Sequence, residues 1–187
     1  MKEYTVYCDL HIGGTYEIFP KFVFGKNTAF LGDNFDLKNT LKIELPVIER
    51  LRKEVMNKCK KNKCIYVAGN HSLEKLKNKF YQIRENILFL HGDIIQKGFK
   101  KAELWRERYS EGKSHIYWDL LKLYRKIFSG HLIILKRKYI KRAYELAMKN
   151  KCHTIVMGHF HPRKIIDLKK KEVRIIFMPR GVSKIKI

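Results

Sequence analysis

The chain has 187 residues, 45% of them hydrophobic and 12% aromatic, a globular composition large enough for one domain with a sizeable core. Its 41 Lys and Arg against 18 Asp and Glu leave a formal charge of +23, which argues for an anionic partner unless a proteome-wide lysine bias accounts for it. No apolar run is long enough to span a bilayer, and the first residues read as a strand rather than a leader, so a cytoplasmic protein is expected, with the membrane periphery as the alternative.

In chain order, short apolar segments bounded by turn residues predict strands over 5–8 and 28–31. Ile48, Leu51, Val55 and Cys59 then recur at helical spacing, with Pro46 near the first turn, where its missing N–H does no harm. A strand over 64–68 comes next, then a short helix from Ser72 towards Phe80, and a strand over 87–90. From about 100 to 150 the pattern is helical, with an interruption near Ser129-Gly130. A strand over 154–157 leads to a hairpin of 163–168 and 172–177 around three lysines, and 182–187 alternates apolar and basic residues like an edge strand. Strands alternating with helices indicate an α/β domain. Cys8, Cys59, Cys64 and Cys152 lack CxxC spacing and read as free thiols.

The informative feature lies at the ends of the strands. The first runs into Asp9-Leu10-His11 and the second into Gly32-Asp33-Asn34-Phe35-Asp36. The next three run into Gly69-Asn70-His71, His91-Gly92-Asp93 and Gly158-His159-Phe160-His161. Open α/β sheets place their sites at these C-terminal strand ends. Singly, each motif is a common turn; together they gather five of the eight histidines with two kinds of oxygen ligand. His115, His131 and His153 have no such context and read as structural or exposed.

That ordered set resembles the calcineurin-like metallophosphoesterase superfamily, whose pattern runs DxH, GDxxD, GNH, H and GHxH. The resemblance spans 9–161 and extends to Pro179-Arg180-Gly181, similar to the family's closing NPG-like turn. It implies two packed mixed β-sheets flanked by helices, in a single domain over 1–187 with a helical insert at 97–150 before the last metal motif. It implies two divalent metal ions, Mn²⁺ first, with Fe²⁺, Zn²⁺ or Ni²⁺ as alternatives. Asp9, His11 and His161 would hold one ion, Asn70, His91 and His159 the other, and Asp33 would bridge them. The implied activity is hydrolysis of a phosphodiester or pyrophosphate bond by a metal-activated hydroxide, with His71 as general acid and Asp36 as its carboxylate partner. Asp93 is a candidate partner for His91.

Two departures narrow the resemblance. Ser72 stands where relatives often carry Asp or Glu, and Leu37 stands where phosphoprotein phosphatases carry Arg, which argues against a Ser/Thr protein phosphatase. Within the superfamily the layout is similar to the UDP-2,3-diacylglucosamine pyrophosphohydrolase-like group, although members of that group usually have Arg in place of His71.

Residues 97–149 carry 15 Lys and Arg against 5 Asp and Glu, together with both tryptophans, Trp105 and Trp118. Tyr139, Ile140, Ala143, Tyr144 and Ala147 predict an apolar helix face, with Lys136, Arg137, Lys138, Lys141 and Arg142 largely opposite. Such an insert can cover the site and stack on a base or an acyl chain, or its aromatics can simply fill the helix–sheet interface. The alternatives to a small-substrate hydrolase are therefore a nucleic-acid phosphodiesterase and a non-catalytic metal-binding scaffold of the same fold. The substrate expected is phosphorylated and anionic.

Overall fold

The computed structural model describes residues 1–14, 18–37, 40, 43–71, 80–110, 136–168 and 172–187, with the backbone alone for 105 and 107–110. Its strands form two mixed sheets. The first has the order β3 (Ile65–Val67), β2 (Thr28–Leu31), β1 (Glu3–Cys8), β9 (Gly181–Lys186), with only β9 antiparallel. The second has the order β4 (Tyr81–Arg84), β5 (Ile87–Leu90), β6 (Thr154–His161), β8 (Val173–Pro179), β7 (Lys164–Leu168). Its three central strands are parallel and both edges antiparallel.

The two sheets pack face to face through Tyr4, Val6, Ala29 and Val67 against Phe89, Val156, Ile176 and Met178. These strands are buried on both faces, which is why they read as continuous apolar runs. On the outside of the first sheet, helix α1 (Leu45–Lys61) buries Val55 and Cys59 against Tyr7, Phe30 and Tyr66. On the outside of the second lie α2 (Asp93–Lys97), α3 (Phe99–Ser110) and α4 (Arg137–Lys149), with Ile94, Ala102, Tyr139 and Ala143 against Leu88, Ile155 and Phe177. The expected architecture of two mixed sheets flanked by helices is therefore found.

β9 is an edge strand, as its exposed lysines predict. β4 and α2 are elements that the sequence pattern does not predict. β4 and β5 form a hairpin whose two turn residues, Glu85 and Asn86, both have positive φ, the conformation that suits a two-residue hairpin. β6 is longer than expected and carries an irregularity between Met157 and His161 where its pairing with β8 shifts. Tyr139, Ala143 and Ala147 of α4 are buried as expected. The expected helix from Ser72, the Ser129-Gly130 break, His115 and His131 lie outside the described residues. Among the described residues, no helix is long and apolar enough to cross a membrane.

Candidate metal centre

The C-terminal ends of β1, β2, β3, β5 and β6 converge at one end of the sandwich and deliver all five motifs to one place. Three groups of ligand atoms form there, each within 4.8 Å: Asp9, His11 and Asp33; Asp33, His91 and His159; and His11, Asp36 and His71. Asp33 and His11 thus each belong to two groups at once, and Asp33 is the carboxylate that two of them share. His161 Nε2 lies 3.7 Å from Asp9 Oδ1, and Asn70 Oδ1 lies 3.1 Å from His91 Nε2, so all seven expected ligands and both expected catalytic residues stand together.

Local backbone explains how. Asp9, His11, Asp33, His159 and His161 all have φ between 43° and 70°. The left-handed conformation costs a residue with a Cβ roughly 1–2 kcal/mol, and here it recurs at five of the seven expected ligands. Two glycines are required by close approach. A Cβ on Gly69 would stand 2.0 Å from Asp33 Oδ1, and one on Gly158 would stand 2.3 Å from Cys8 Sγ and 2.8 Å from Asp9 Oδ2.

The hydrogen bonds show which atoms are left for a ligand. His91 is fully buried and its Nδ1 donates to the Leu31 carbonyl at 3.0 Å. Its Nε2 then faces two acceptors, Asp33 Oδ2 and Asn70 Oδ1, each at 3.1 Å. Three lone-pair atoms converging on one point call for a cation, and the mixture of carboxylate, amide oxygen and imidazole suits a transition ion. In the metal-free protein a proton takes that place: burial works against it, but the Asp33 and Asp9 carboxylates raise the His91 pKa to about 10.

Asp9 and Asp33 are buried, which favours their neutral forms, yet the neighbouring His91 charge outweighs this and holds both below the usual carboxylate range. Asp9 Oδ2 also accepts the His159 backbone N–H at 2.9 Å, and the Asp9 carbonyl accepts Arg180 Nε at 2.9 Å. His159 is pushed the other way, to about 4, by burial and by His91.

Asp36 serves two imidazoles. It accepts from His11 Nδ1 at 3.0 Å and from His71 Nδ1 at 2.9 Å, and these two bonds overcome its burial to keep it ionised. The His71 backbone N–H donates to Asp33 Oδ1 at 2.7 Å. Asp93 does not serve His91 as expected. It forms a buried pair with Arg106 of α3, with both oxygens at 2.9 Å from Nη2, and Arg106 also donates to the Ala68 carbonyl at 3.1 Å. The pair ties α3 to the strand end that carries Asn70. Sequence reasoning missed Arg106, because an arginine in a basic segment looks solvent-facing. It also missed Gln96, whose Oε1 lies 2.8 Å from His159 Nε2.

The profile of the calcineurin-like phosphoesterase family matches residues 5–163. The chain belongs to that family. It is therefore a metallophosphoesterase, a phosphoester hydrolase of a metal-dependent family, and its His and Asp groups are of the kind that can hold metal. A search of curated proteins finds no match. Among solved structures, a cold-active protein-tyrosine phosphatase of a psychrophilic Shewanella species is 15% identical. That match covers 94% of this chain and 71% of the other, with a TM-score of 0.42. A second structure of a cold-active protein-tyrosine phosphatase is 14% identical, covering 94% and 69% with a TM-score of 0.42.

Proposed function

We propose that this family member hydrolyses a phosphodiester or pyrophosphate bond with two divalent ions, Mn²⁺ first among them, and with His71 as general acid. The observation that carries the reading is the membership of Asp33 in two ligand groups at once. Asp9, His11 and His161 would hold one ion and Asn70, His91 and His159 the other, with Asp33 between them. Bound there, the two ions supply a water of lowered pKa for in-line attack and offset charge developing on the phosphoryl oxygens. The reading is of one cytoplasmic domain, 1–187, in which 97–150 is an insert.

The chain's own residues do the rest. With Nδ1–H of His71 given to Asp36, a protonated ring offers Nε2–H to a leaving oxygen. Asp36, ionised and buried, fixes that ring and the His11 ring with the same carboxylate. A single rigid group therefore sets the spacing between a metal ligand and the proton donor.

The test is kcat over phosphodiesters whose leaving groups rise in pKa, with metal content measured in parallel. His71→Ala should keep its ions and lose about 10²–10⁴-fold on alkoxide leaving groups, but little on p-nitrophenolate, which departs without a proton. Asp36→Asn should show the same pattern more mildly. A His71→Ala deficit that ignores leaving-group pKa, or loss of an ion from that variant, would falsify the acid role.

A second reading, cleavage of a nucleic acid, is favoured by α4. Lys136, Arg137, Lys138 and Lys141 are exposed on or beside the helix whose Arg142 reaches the carbonyls of Ile95 and Gln96, next to His159. Changing those four lysines and arginines to Gln should raise KM for single-stranded RNA or DNA, flatten its salt dependence, and spare a small aryl phosphodiester. Equal losses on both would remove this reading.

A further inference from the structure

Three imidazoles of the centre are each fixed by a strong acceptor on one ring nitrogen. For His91 it is the Leu31 carbonyl, and for His11 and His71 it is Asp36. His159 differs in kind: its Nε2 meets the side-chain amide of Gln96, Oε1 at 2.8 Å. Gln96 lies on α2, five residues beyond His91, and α2 is too short to hold itself in place. Within it, the carbonyls of Ile95 and Gln96 accept from Arg142 Nη1 at 3.1 and 2.9 Å. The basic helix α4 therefore spends one of its cations on anchoring α2 and, through it, Gln96.

We infer that Gln96, anchored by Arg142, sets the tautomer of His159, keeping the proton on Nε2 and leaving the Nδ1 lone pair as the ligand atom. With its Oε1 turned to the ring at 2.8 Å, the Gln96 amide accepts there, and the ring nitrogen against it carries the hydrogen. Without that acceptor, a half-buried Nε2–H loses its partner. Nothing then holds the proton on Nε2, and the Nδ1–H form, which blocks a metal at that nitrogen, becomes populated. Gln96 and Arg142 are positioning residues. The inference rests on the proposed metal centre for the use made of His159, but the tautomer is a property of the metal-free chain.

The experiment is ¹⁵N NMR of the imidazoles in metal-free, ¹⁵N-histidine-labelled protein at pH 7.5, with the His159 signals assigned through His159→Gln. Zn²⁺ affinity is measured beside it by competition with a fluorescent chelator. Wild type should show His159 as the Nε2–H form. Gln96→Leu should populate the Nδ1–H form and weaken Zn²⁺ binding about 10–100-fold. Gln96→Glu, which keeps an acceptor, should hold the wild-type tautomer, and Gln96→Met replaces the leucine variant if that one does not fold. Arg142→Gln should move both readouts in the leucine direction, by less. An Nδ1–H form in wild type, or a wild-type tautomer in Gln96→Leu and Gln96→Met, overturns the inference even if zinc binds. The expected tautomers with no zinc bound by wild type would support Gln96's role while removing the metal centre.

Discussion

The group of Asp33, His91 and His159 shares a carboxylate with the group of Asp9, His11 and Asp33, yet the two are built differently. On the first side His91 is wholly buried and oriented by a backbone carbonyl, and His159 is oriented by an amide carried on a helix. On the second, the His11 side chain is 18% exposed and that of His161 28% exposed, with His161 Nε2 3.7 Å from Asp9. His159 and Asn70 on the first side are half-buried too, so the difference rests on His91, a ring held away from water before any ion arrives. The half that holds His91, the inner one, is thus preorganised around a fully buried ring, whereas in the outer half His11 and His161 both keep some exposure.

Asp33→Asn should erase the distinction. Both ions should be lost by elemental analysis, and kcat/KM on bis-p-nitrophenyl phosphate should fall by about 10³-fold or more, the scale of several kcal/mol of charge stabilisation. Retention of two ions and full turnover would remove the shared-carboxylate reading altogether. Next in size, His91→Ala should abolish the tighter of two binding phases in a Mn²⁺ titration. His161→Ala should weaken only the looser phase, so that excess Mn²⁺ restores much of its activity. Identical titration curves for the two variants would break the inner–outer comparison.

The smallest effect is one of pH, and it is specific to the inner half. The His91 pKa rises from 6.5 to about 10 on folding, so its contribution to stability is fully present below pH 6.5 and is lost as pH climbs through 10. The thermal midpoint of metal-free protein should therefore fall across that interval, and His91→Gln should flatten this part of the slope. Added Zn²⁺ should stabilise more towards the alkaline end, since the Nε2 proton has to leave before a metal can bind.

The strands that carry the motifs were legible because each is a short apolar run ending in a turn residue, and a run buried on both faces leaves no ambiguity of phase. β4 was not, because Tyr81-Gln82-Ile83-Arg84 is half-buried at a sheet edge and its turn, Glu85-Asn86, lacks the glycine that usually marks a hairpin. Asp9, Asp33, Asn70 and the site histidines declared themselves by order along the chain. Gln96 and Arg106 had no such mark. A glutamine and an arginine are ordinary surface residues, and only the packing of α2 and α3 on the second sheet brings Gln96 to His159 and Arg106 to Asp93. Periodicity sets Arg142 among the solvent-facing cations of α4, but its guanidinium is engaged by carbonyls of another helix, a contact that helical spacing does not register.

The left-handed backbone at residues 9, 11, 33, 159 and 161 bears on how this gene would age. Asp tolerates that conformation, and Asp9 and Asp33 also accept the His159 and His71 backbone N–H groups, but at 11, 159 and 161 glycine would adopt it without strain, so the local backbone gives no reason to keep His there. A copy whose chemistry no longer mattered would change there early, relaxing its turns as it shed its ligands, while the apolar strands behind them stayed put. Decay of the enzyme and relief of the fold would then be the same events, and the three left-handed histidines of the present sequence would be the first casualties of disuse.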